Sequence, residues 1–484
     1  MVKSERSEKF LIRFYRGLIY ILPAVLFFSY YPVISLGASE SMNFEFSLPL
    51  IWLVVFDFTA LALMVRKRVL FRGFGRKWVW LLFPGFLTLS LLWSLNSLRG
   101  LLTVGILWLI YGAWYAFFDL RSVLKEVGVK GIFWKVFFGS SLVVCGWCFL
   151  QCVLDICGAP RAGTLLCAGC TYKMFGFPHP NGFAIEPQFM GNLLLAPAIV
   201  SGWMMTGSGN IFRSRLCPAI LFFIFTATLF LTFSRGAIYA FIVAMIFMVA
   251  MQGVWQKSWK IFKTFLIIAA AFLFTLNLQG VMAQVGPTND TYGSGVAKVM
   301  DQLSLGIIDI RGSEEVKNEE KSEEMDAPAS EKTEEKEKNE EEQAVFDGYV
   351  EESTDTRKRL TRDALKIWRQ DFKTVMFGVG LGGAGQALYV NGLSPAPKEI
   401  VQNQYASLLL ETGVVGVVLL ILTLVLVARA VYQNPAREVI FTLLLAYGIS
   451  VCFFAGLPNA LHIYLLPAIL MVILGDGKSL YHKQ

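Results

Sequence analysis

One arginine stands alone in a long apolar part of this sequence. Arg235 is the single charged residue of the segment LFLTFSRGAIYAF, and the nearest charges along the chain are Arg215 and Lys257. A guanidinium keeps its charge and binds in a planar fork, so phosphate and carboxylate groups are its natural ligands. Ser234 and Gly236 flank it, and glycine suits a tight reversal between two helices. Arg235 is therefore a candidate phosphate-binding residue; the alternative is an arginine that only reaches lipid headgroups.

A second group of cations lies far along the chain, in the segment DTRKRLTRDALKIWRQDF at about 355–372. Its apolar residues recur at helical spacing, which predicts an amphipathic helix. The other faces of that helix carry basic residues: Arg357, Lys358, Arg359, Arg362, Lys366 and Arg369. Such a helix either lies on anionic headgroups or brings guanidinium groups to a phosphate ligand.

The next segment, FGVGLGGAGQALYVNG at 377–392, is rich in glycine. We expect its backbone to approach another group closely. The residues from Gly380 to Gly385 match GxGxxG, but no strand precedes them and no βαβ unit contains them, so a dinucleotide site is excluded. Glycine-rich backbone beside an arginine-rich helix instead fits an anionic, lipid-linked phosphate.

Two other titratable residues are candidates for the chemistry of such a site. Glu186 begins an apolar segment, where a carboxylate is costly unless it is paired or hydrated. It is either the partner of an arginine such as Arg235 or a general base. His179 lies in the turn sequence PHPNG, where its alternative role is simple loop polarity.

The cysteines indicate a disulfide and not a metal centre. Cys157, Cys167 and Cys170 lie in the loop before this apolar segment, and their spacing to His179 does not form a convincing zinc motif. We expect one disulfide among the three, with its pairing open and the third thiol free or paired with Cys152. The sequence predicts no metal ion and no cofactor.

These residues must be positioned by membrane helices. The chain has 484 residues, of which 55% are hydrophobic and 16% are charged, and several uncharged runs approach the length of about 20 residues that spans a bilayer. Continuous apolar runs predict helices, because strands of a membrane barrel would alternate. The sequence predicts an all-α polytopic membrane protein with about twelve transmembrane helices, at about 17–37, 46–65, 78–94, 99–118, 132–156, 182–206, 215–233, 236–253, 260–280, 404–428, 437–457 and 459–474.

The basic loops predict the topology. Lys and Arg concentrate in alternate loops, so both termini should be cytoplasmic. Residues 1–280 then hold helices one to nine, residues 281–403 form a large outer loop, and residues 404–484 hold the last three helices and a cytoplasmic tail. Within the outer loop, the Glu/Lys-rich stretch 313–343 cannot bury a core and is predicted to be a disordered insert.

Several short motifs, in order along the chain, resemble one family. The motifs LTFSRGA, ALKIW, FGVGLGG and VQNQYASLLLETGVVGVV, with LLWSLNSLRGLL and FPHPNGFAIEPQFMGNLLLAP before them, are similar to the O-antigen ligase and O-antigen polymerase superfamily. This resemblance implies a GT-C-like membrane glycosyltransferase in the bacterial inner membrane. Such enzymes take a glycan from an undecaprenyl-pyrophosphate carrier at the outer face, without a metal ion. The acceptor is lipid A-core, another carrier-linked glycan, or a protein hydroxyl.

The resemblance also implies roles for individual residues. Arg235, with Ser234 and Gly236, would bind the pyrophosphate. Arg357 or Arg359 would be the second catalytic arginine, and spacing slightly favours Arg357. Arg362 and Asn403 would assist substrate binding.

One position departs from the family pattern. Ligases of this family usually have His-Asn where this chain has Gln402-Asn403, and glutamine cannot take a proton near neutral pH. The base would then be Glu186 or His179, or transfer would need little help from a base. Ligase and polymerase remain close alternatives. The rivals from other classes are a polysaccharide or lipid transporter or flippase, for which the sequence shows no internal repeat, and a non-catalytic assembly protein.

Overall fold

The computed structural model describes most of the chain. The described residues are 2–28, 32–39, 42–69, 78–124, 127–159, 173–174, 177–184, 186–206, 214, 216–252, 258–285, 291–304, 356–456 and 460–475. The insert predicted at 313–343 and the cysteines Cys167 and Cys170 lie outside the described residues.

Helices dominate this described part. In chain order they are α1 (Val2–Phe27), α2 (Leu48–Arg66), α3 (Leu82–Ser90), α4 (Ser97–Asp119), α5 (Arg121–Leu124), α6 (Val127–Ile156), α7 (Pro187–Met205), α8 (Leu216–Leu231), α9 (Arg235–Met251), α10 (Ser258–Val285), α11 (Tyr292–Ser304), α12 (356–368), α13 (Phe372–Phe377), α14 (Ala384–Val390), α15 (Gln404–Tyr432), α16 (Arg437–Ser450) and α17 (Leu461–Leu474). Short 3-10 turns cover Trp78–Leu81 and Leu91–Trp93. Two antiparallel hairpins pair β1 (Pro32–Ser39) with β2 (Met42–Ser47) and β3 (Lys173–Met174) with β4 (Phe177–Pro178).

The helices make this a polytopic membrane protein. Within the described residues, 6 helices are long and apolar enough to cross a membrane, namely α1, α2, α4, α6, α10 and α15. The segment Trp78–Trp93 and the helices α8, α9 and α17 are shorter apolar helices. Helix α7 lies at the centre of the bundle and packs on α8, α9 and α16, with nearly every residue from Met190 to Met204 buried.

The first helix differs from its predicted extent. It was expected to continue to residue 37, but it ends at Phe27 and residues 32–39 form a strand. Pro32 lacks the amide hydrogen that would continue a helix, and Val33 and Ile34 are β-branched and favour a strand. The prediction of one continuous helix was therefore wrong at this end.

The glycine-rich segment lies between two breaks in membrane helices. One break separates α3 from α4, and the other is at Gly413, where φ is 62° within α15. The amide of Gly380 donates to the carbonyl of Glu411 (2.9 Å), and the hydroxyl of Ser94 donates to the carbonyl of Leu381 (2.7 Å). Backbone groups left unpaired at the breaks and in the glycine-rich segment thus form hydrogen bonds to one another and to nearby side chains, as a low-dielectric environment requires.

The close approach expected of these glycines is therefore made to the protein itself. Gly378, Gly380 and Gly382 have φ values of 73°, 87° and 81°, which disfavour residues that carry a Cβ. A Cβ on Gly380 would lie 2.3 Å from the Cα of Ser94, and one on Gly382 would lie 2.5 Å from the nitrogen of Gly100. Because backbone fills this space, these three glycines fix the segment against the bundle.

Candidate functional site

Arg235 is the first residue of α9, directly after the turn from α8. The reversal is made by Phe233, whose φ is 50°, and Ser234 is the N-cap residue of α9. Gly236 was expected to make the reversal, but it is a helical residue. Its role is to leave room for Phe453, because a Cβ there would lie 2.9 Å from that side chain. The arginine is thus held at a closely packed helix start.

The guanidinium of Arg235 is only partly buried, and it is incompletely paired. Its Nη1 atom is buried and has no hydrogen-bond partner among the residues that the structure describes. Arg357 and His179 both lie within range of direct electrostatic interaction with it. Two arginines that are distant in the sequence are therefore close enough to interact electrostatically.

Helix α12 carries Arg357, and its apolar face is covered by protein. Leu360, Ala364 and Ile367 are buried in a cluster with Leu388 and Leu410 from the neighbouring helices. Helix α12 is therefore packed on residues between 384 and 410, and its apolar face is not available to a membrane. The alternative of a helix that rests with this face on lipid headgroups is wrong.

The arrangement also separates the two candidates for the second arginine. Successive residues of a helix are rotated by about 100°, so Arg357 lies on the side of Ala364 and Arg359 lies on the opposite side. Arg357 is half-buried, whereas Arg359 and Arg362 are exposed. Of the two candidates, only Arg357 interacts with Arg235. Arg359 and Arg362 lie on a solvent-facing surface. Lys366 lies there as well, paired with the carboxylate of Asp363 at 3.0 Å.

Glu186 lies beside the arginine pair as the N-cap residue of α7. Its backbone carbonyl accepts hydrogen bonds from the amides of Phe189 (3.1 Å) and Met190 (3.2 Å), which leaves its carboxylate outside the helix. The carboxylate reaches the surface, yet desolvation by the surrounding protein raises its pKa, and the positive charge of Arg357 lowers that pKa in part. Glu186 is thus an electrostatic neighbour of Arg357.

His179 is buried against the same turn. Its ring centroid is 5.0 Å from that of Phe233, and its side chain is 3% exposed. Burial, together with a smaller effect of the charge of Arg235, lowers the pKa of His179 to about 3. The imidazole is therefore neutral at physiological pH and is a weak base.

Two buried amides hold the loop that carries His179. Gln151 of α6 donates to the side-chain oxygen of Asn181 (2.8 Å) and accepts from the amide of Gly182 (3.0 Å). Asn181 in turn donates to the carbonyl of Ala184 (2.8 Å). This pair was not predicted from the sequence, although a glutamine inside an apolar helix is the signal that could have revealed it.

Gln402 and Asn403 lie at the start of α15. Asn403 is the N-cap residue, and its side-chain oxygen accepts from the amides of Tyr405 (3.1 Å) and Ala406 (3.0 Å). Its observed role is therefore to end the loop and begin a helix. Gln402 is partly buried, and its side chain forms no hydrogen bond within the described part of the chain.

The cysteines whose placement is described carry free thiols. Cys157 is exposed and Cys152 is buried, and neither is in a disulfide. The expected alternative in which Cys152 takes part is therefore wrong. A disulfide between Cys167 and Cys170 stays a prediction, because both lie outside the described residues.

The comparison with known families now identifies part of the chain. A family profile described as O-antigen ligase matches residues 220–421. These residues form an O-antigen ligase family domain. The resemblance read from the motifs is confirmed for this part of the chain, and the family implies lipid-linked glycan substrates. No curated protein sequence matches the chain.

The O-antigen ligase domain contains both arginines of the pair. Arg235 lies near its start and Arg357 in its second half, and Gln402 and Asn403 are also within it. Glu186 and His179 precede the domain in the sequence but lie next to its arginines in space. The site is therefore built from the domain together with the loop that leads into α7.

Proposed function

We propose that this protein is a membrane glycosyltransferase that moves a glycan from an undecaprenyl-pyrophosphate carrier to a hydroxyl acceptor. The observation that supports this most strongly is the meeting of Arg235 and Arg357 inside the O-antigen ligase domain. The acceptor is lipid A-core, a second carrier-linked glycan or a protein hydroxyl, so the reaction is that of a ligase or of a repeat-unit polymerase.

The charge arrangement is suited to a diphosphate. Two guanidinium groups repel each other when they are close, and at an effective dielectric constant of about 20 two unit charges 4 Å apart interact by about 4 kcal/mol. A dianion placed between them attracts both guanidinium groups, and these two attractions outweigh the repulsion. A pyrophosphate gains negative charge as it leaves, so Arg235 and Arg357 would stabilise the transition state more than the bound donor.

The base is assigned to Glu186. In the reaction the acceptor oxygen bonds to the anomeric carbon, the bond from that carbon to the pyrophosphate breaks, and the acceptor loses its proton. Glu186 is at the surface of the site, and its raised pKa makes it a better proton acceptor than an ordinary carboxylate. His179 is buried with a pKa of about 3 and is a positioning residue for the turn at Phe233.

The membrane arrangement is part of the same proposal. Twelve transmembrane helices in a GT-C-like architecture, with both termini in the cytoplasm, would place this site at the outer face of the bacterial inner membrane. The charge of the loops supports that orientation. The donor would then enter laterally from the outer leaflet with its pyrophosphate towards Arg235.

A test uses purified protein in liposomes with a carrier-linked glycan, with and without a lipid A-core acceptor. Laddered carrier-linked products indicate a polymerase, and label on lipid A-core indicates a ligase. Arg235→Lys should abolish most transfer while Arg359→Lys leaves it unchanged, because a point charge does not replace a fork. If carrier pyrophosphate is released under no condition, the proposal is wrong.

One structural feature favours a second candidate, a lipid or polysaccharide transporter. The interrupted helices at residues 91–96 and at Gly413 are of the kind that transporters use near the centre of the membrane. In this protein the interrupted backbone groups bond to the glycine-rich segment. The same liposomes distinguish the two functions, because a transporter would move the lipid-linked glycan across the bilayer without releasing carrier pyrophosphate.

A further inference from the structure

A large cavity lies along α4, and its lining residues differ from those of the arginine pair. It is bounded by α3, α4, α15 and α16, has a volume of about 640 Å³, and is not lined by Arg235, Arg357, Glu186 or His179. Its size falls within the range of about 300–1,000 Å³ that is usual for small-molecule sites. It is therefore a separate binding space.

The cavity is long and follows one face of α4. The lining residues Arg99, Thr103, Ile106, Ile110 and Trp114 recur every three or four residues, which is the spacing of one helix face. At 1.5 Å per residue this face extends for about 22 Å, which is more than half of the hydrocarbon thickness of a bilayer about 30 Å thick. An extended chain fits this shape better than a compact ligand.

Charge is confined to one end of the cavity. Arg99, Lys398 and Glu411 line that end, and Arg99 lies within electrostatic range of Glu411. Glu411 also accepts a hydrogen bond from the amide of Ala384 at 3.4 Å. Two cations and one carboxylate leave this end with a net positive charge, and the exposed ammonium of Lys398 lies at its rim.

The cavity opens sideways. Ile400, Tyr405 and Leu424 line it and are nevertheless 46%, 45% and 51% exposed. Leu424 lies in the middle of α15, a helix long and apolar enough to cross a membrane, so this opening faces the surrounding lipid. A lipid chain can therefore enter without passing through the protein.

The length of the cavity selects the kind of chain. One acyl chain spans one leaflet, about 15 Å of a bilayer about 30 Å thick, so a face about 22 Å long accommodates an acyl chain together with its phosphate group. That matches one acyl chain of a phospholipid, whereas an undecaprenyl chain is more than twice as long. Protein interiors are close-packed, and an apolar space of this size would not stay empty beside a bilayer.

We propose that this cavity binds one acyl chain of an anionic phospholipid, with the phosphate of that lipid against Arg99 and Lys398. The site is separate from the arginine pair and does not depend on the glycan-transfer chemistry. Its occupant would fill the space between α4 and α15 and so hold in place the two helix breaks that the glycine-rich segment joins.

The test is native mass spectrometry of the full-length, delipidated protein with added phosphatidylglycerol, phosphatidylcholine or undecaprenyl phosphate. Leu424→Trp fills the opening, and its matched control is Val425→Trp, which changes the adjacent and equally lipid-exposed residue that does not line the cavity. Lys398→Gln removes the rim charge, with Lys373→Gln as the control on another exposed lysine of the same region.

We expect a retained phosphatidylglycerol adduct in the unchanged protein and in both controls. Leu424→Trp should remove the adduct, and Lys398→Gln should weaken it about five-fold, as expected for one partly exposed charge-assisted contact. The proposal is overturned if Leu424→Trp and Val425→Trp behave alike, or if phosphatidylcholine is retained as well as phosphatidylglycerol. Preferred retention of undecaprenyl phosphate would overturn the acyl-chain assignment.

Discussion

Replacing Arg357 by glutamine tests the arginine pair most directly. The matched control is Arg359→Gln, which removes the same charge from the same helix on its exposed face. Arg357 would make two charge-assisted hydrogen bonds to the pyrophosphate, each worth about 1.5–3 kcal/mol. Because water can enter at this half-buried position, we take the low end, about 3 kcal/mol in total, which corresponds to a fall in kcat/KM of about 100-fold.

The same substitution should not destabilise the protein. Arg357→Gln relieves the repulsion from Arg235 and also removes the attraction to Glu186, so the two electrostatic changes oppose each other. We expect the Tm of Arg357→Gln to be close to that of the unchanged protein. A cation with a purely structural role would lower the Tm when it is lost, which makes the pair of measurements informative.

The assays are the initial rate of carrier pyrophosphate release in liposomes and thermal unfolding of the purified protein. Arg359→Gln should change the rate less than two-fold, because exposed surface substitutions usually alter free energies by no more than about 0.5 kcal/mol. The reasoning is refuted if both substitutions slow the reaction equally, or if Arg357→Gln leaves the rate unchanged.

Three further predictions follow from the site and its supports. The transfer rate should fall as the pH drops through the pKa of Glu186, which is raised above 4.5, since a protonated Glu186 cannot accept the proton of the acceptor. Glu186→Gln should be slow and should lose this decrease of the rate at low pH. If the decrease is unchanged in Glu186→Gln, the assignment of the base is contradicted. Gly236→Ala should lower the free energy of unfolding by about 1–3 kcal/mol through overpacking, with partial recovery when Phe453→Ala is added; an unchanged Tm would contradict the contact. Gly380→Ala should abolish the yield of monodisperse protein, whereas Gly392→Ala, which also has a positive φ but faces open space, should cost only about 1–2 kcal/mol; equal yields would show that backbone contact is not the constraint.

The positions of the helices could be predicted from the sequence because apolar runs of this length have few alternatives in a membrane. Each of the twelve predicted segments overlaps a helix of the described residues, although the ends differ. The errors lie where tertiary contacts decide the backbone. The segment 78–94 is interrupted by 3-10 turns where two of its serine hydroxyls bond to Leu381, almost 300 positions away along the chain: Ser94 donates to the carbonyl of Leu381, and Ser90 accepts from its amide.

The candidate site could be predicted in part, for a physical reason. Arg235 could be recognised because an isolated charge in an apolar sequence is energetically costly and therefore indicates a functional site. The choice between Arg357 and Arg359 needed the packing of α12, because the apolar pattern alone left both on plausible faces. The support from Gln151 was not predicted, because its partner Asn181 is brought to it only by the fold.

The relative position of the two arginines depends on one short segment, residues 451–456. On one side Gln188 of α7 donates to the carbonyl of Phe453 at 3.0 Å, and Phe453 packs on Gly236 next to Arg235. On the other side lies Gln404, the first residue of α15. Its side-chain oxygen accepts from the amide of Gly456 at 2.9 Å, and its backbone amide donates to the carbonyl of Val451 at 3.0 Å.

Helix α15 continues the connection to the second arginine. Its residue Leu410 packs in the buried cluster that covers the apolar face of α12, the helix that carries Arg357. The loop is therefore connected to α9 through Phe453, and to α12 through Gln404 and the packing of α15 on that helix. Since two like charges would otherwise move apart, this shared attachment is what holds the pair together before an anion binds. A site organised in this way has its binding geometry set in advance, and that is the condition under which electrostatic stabilisation of a leaving group is most effective.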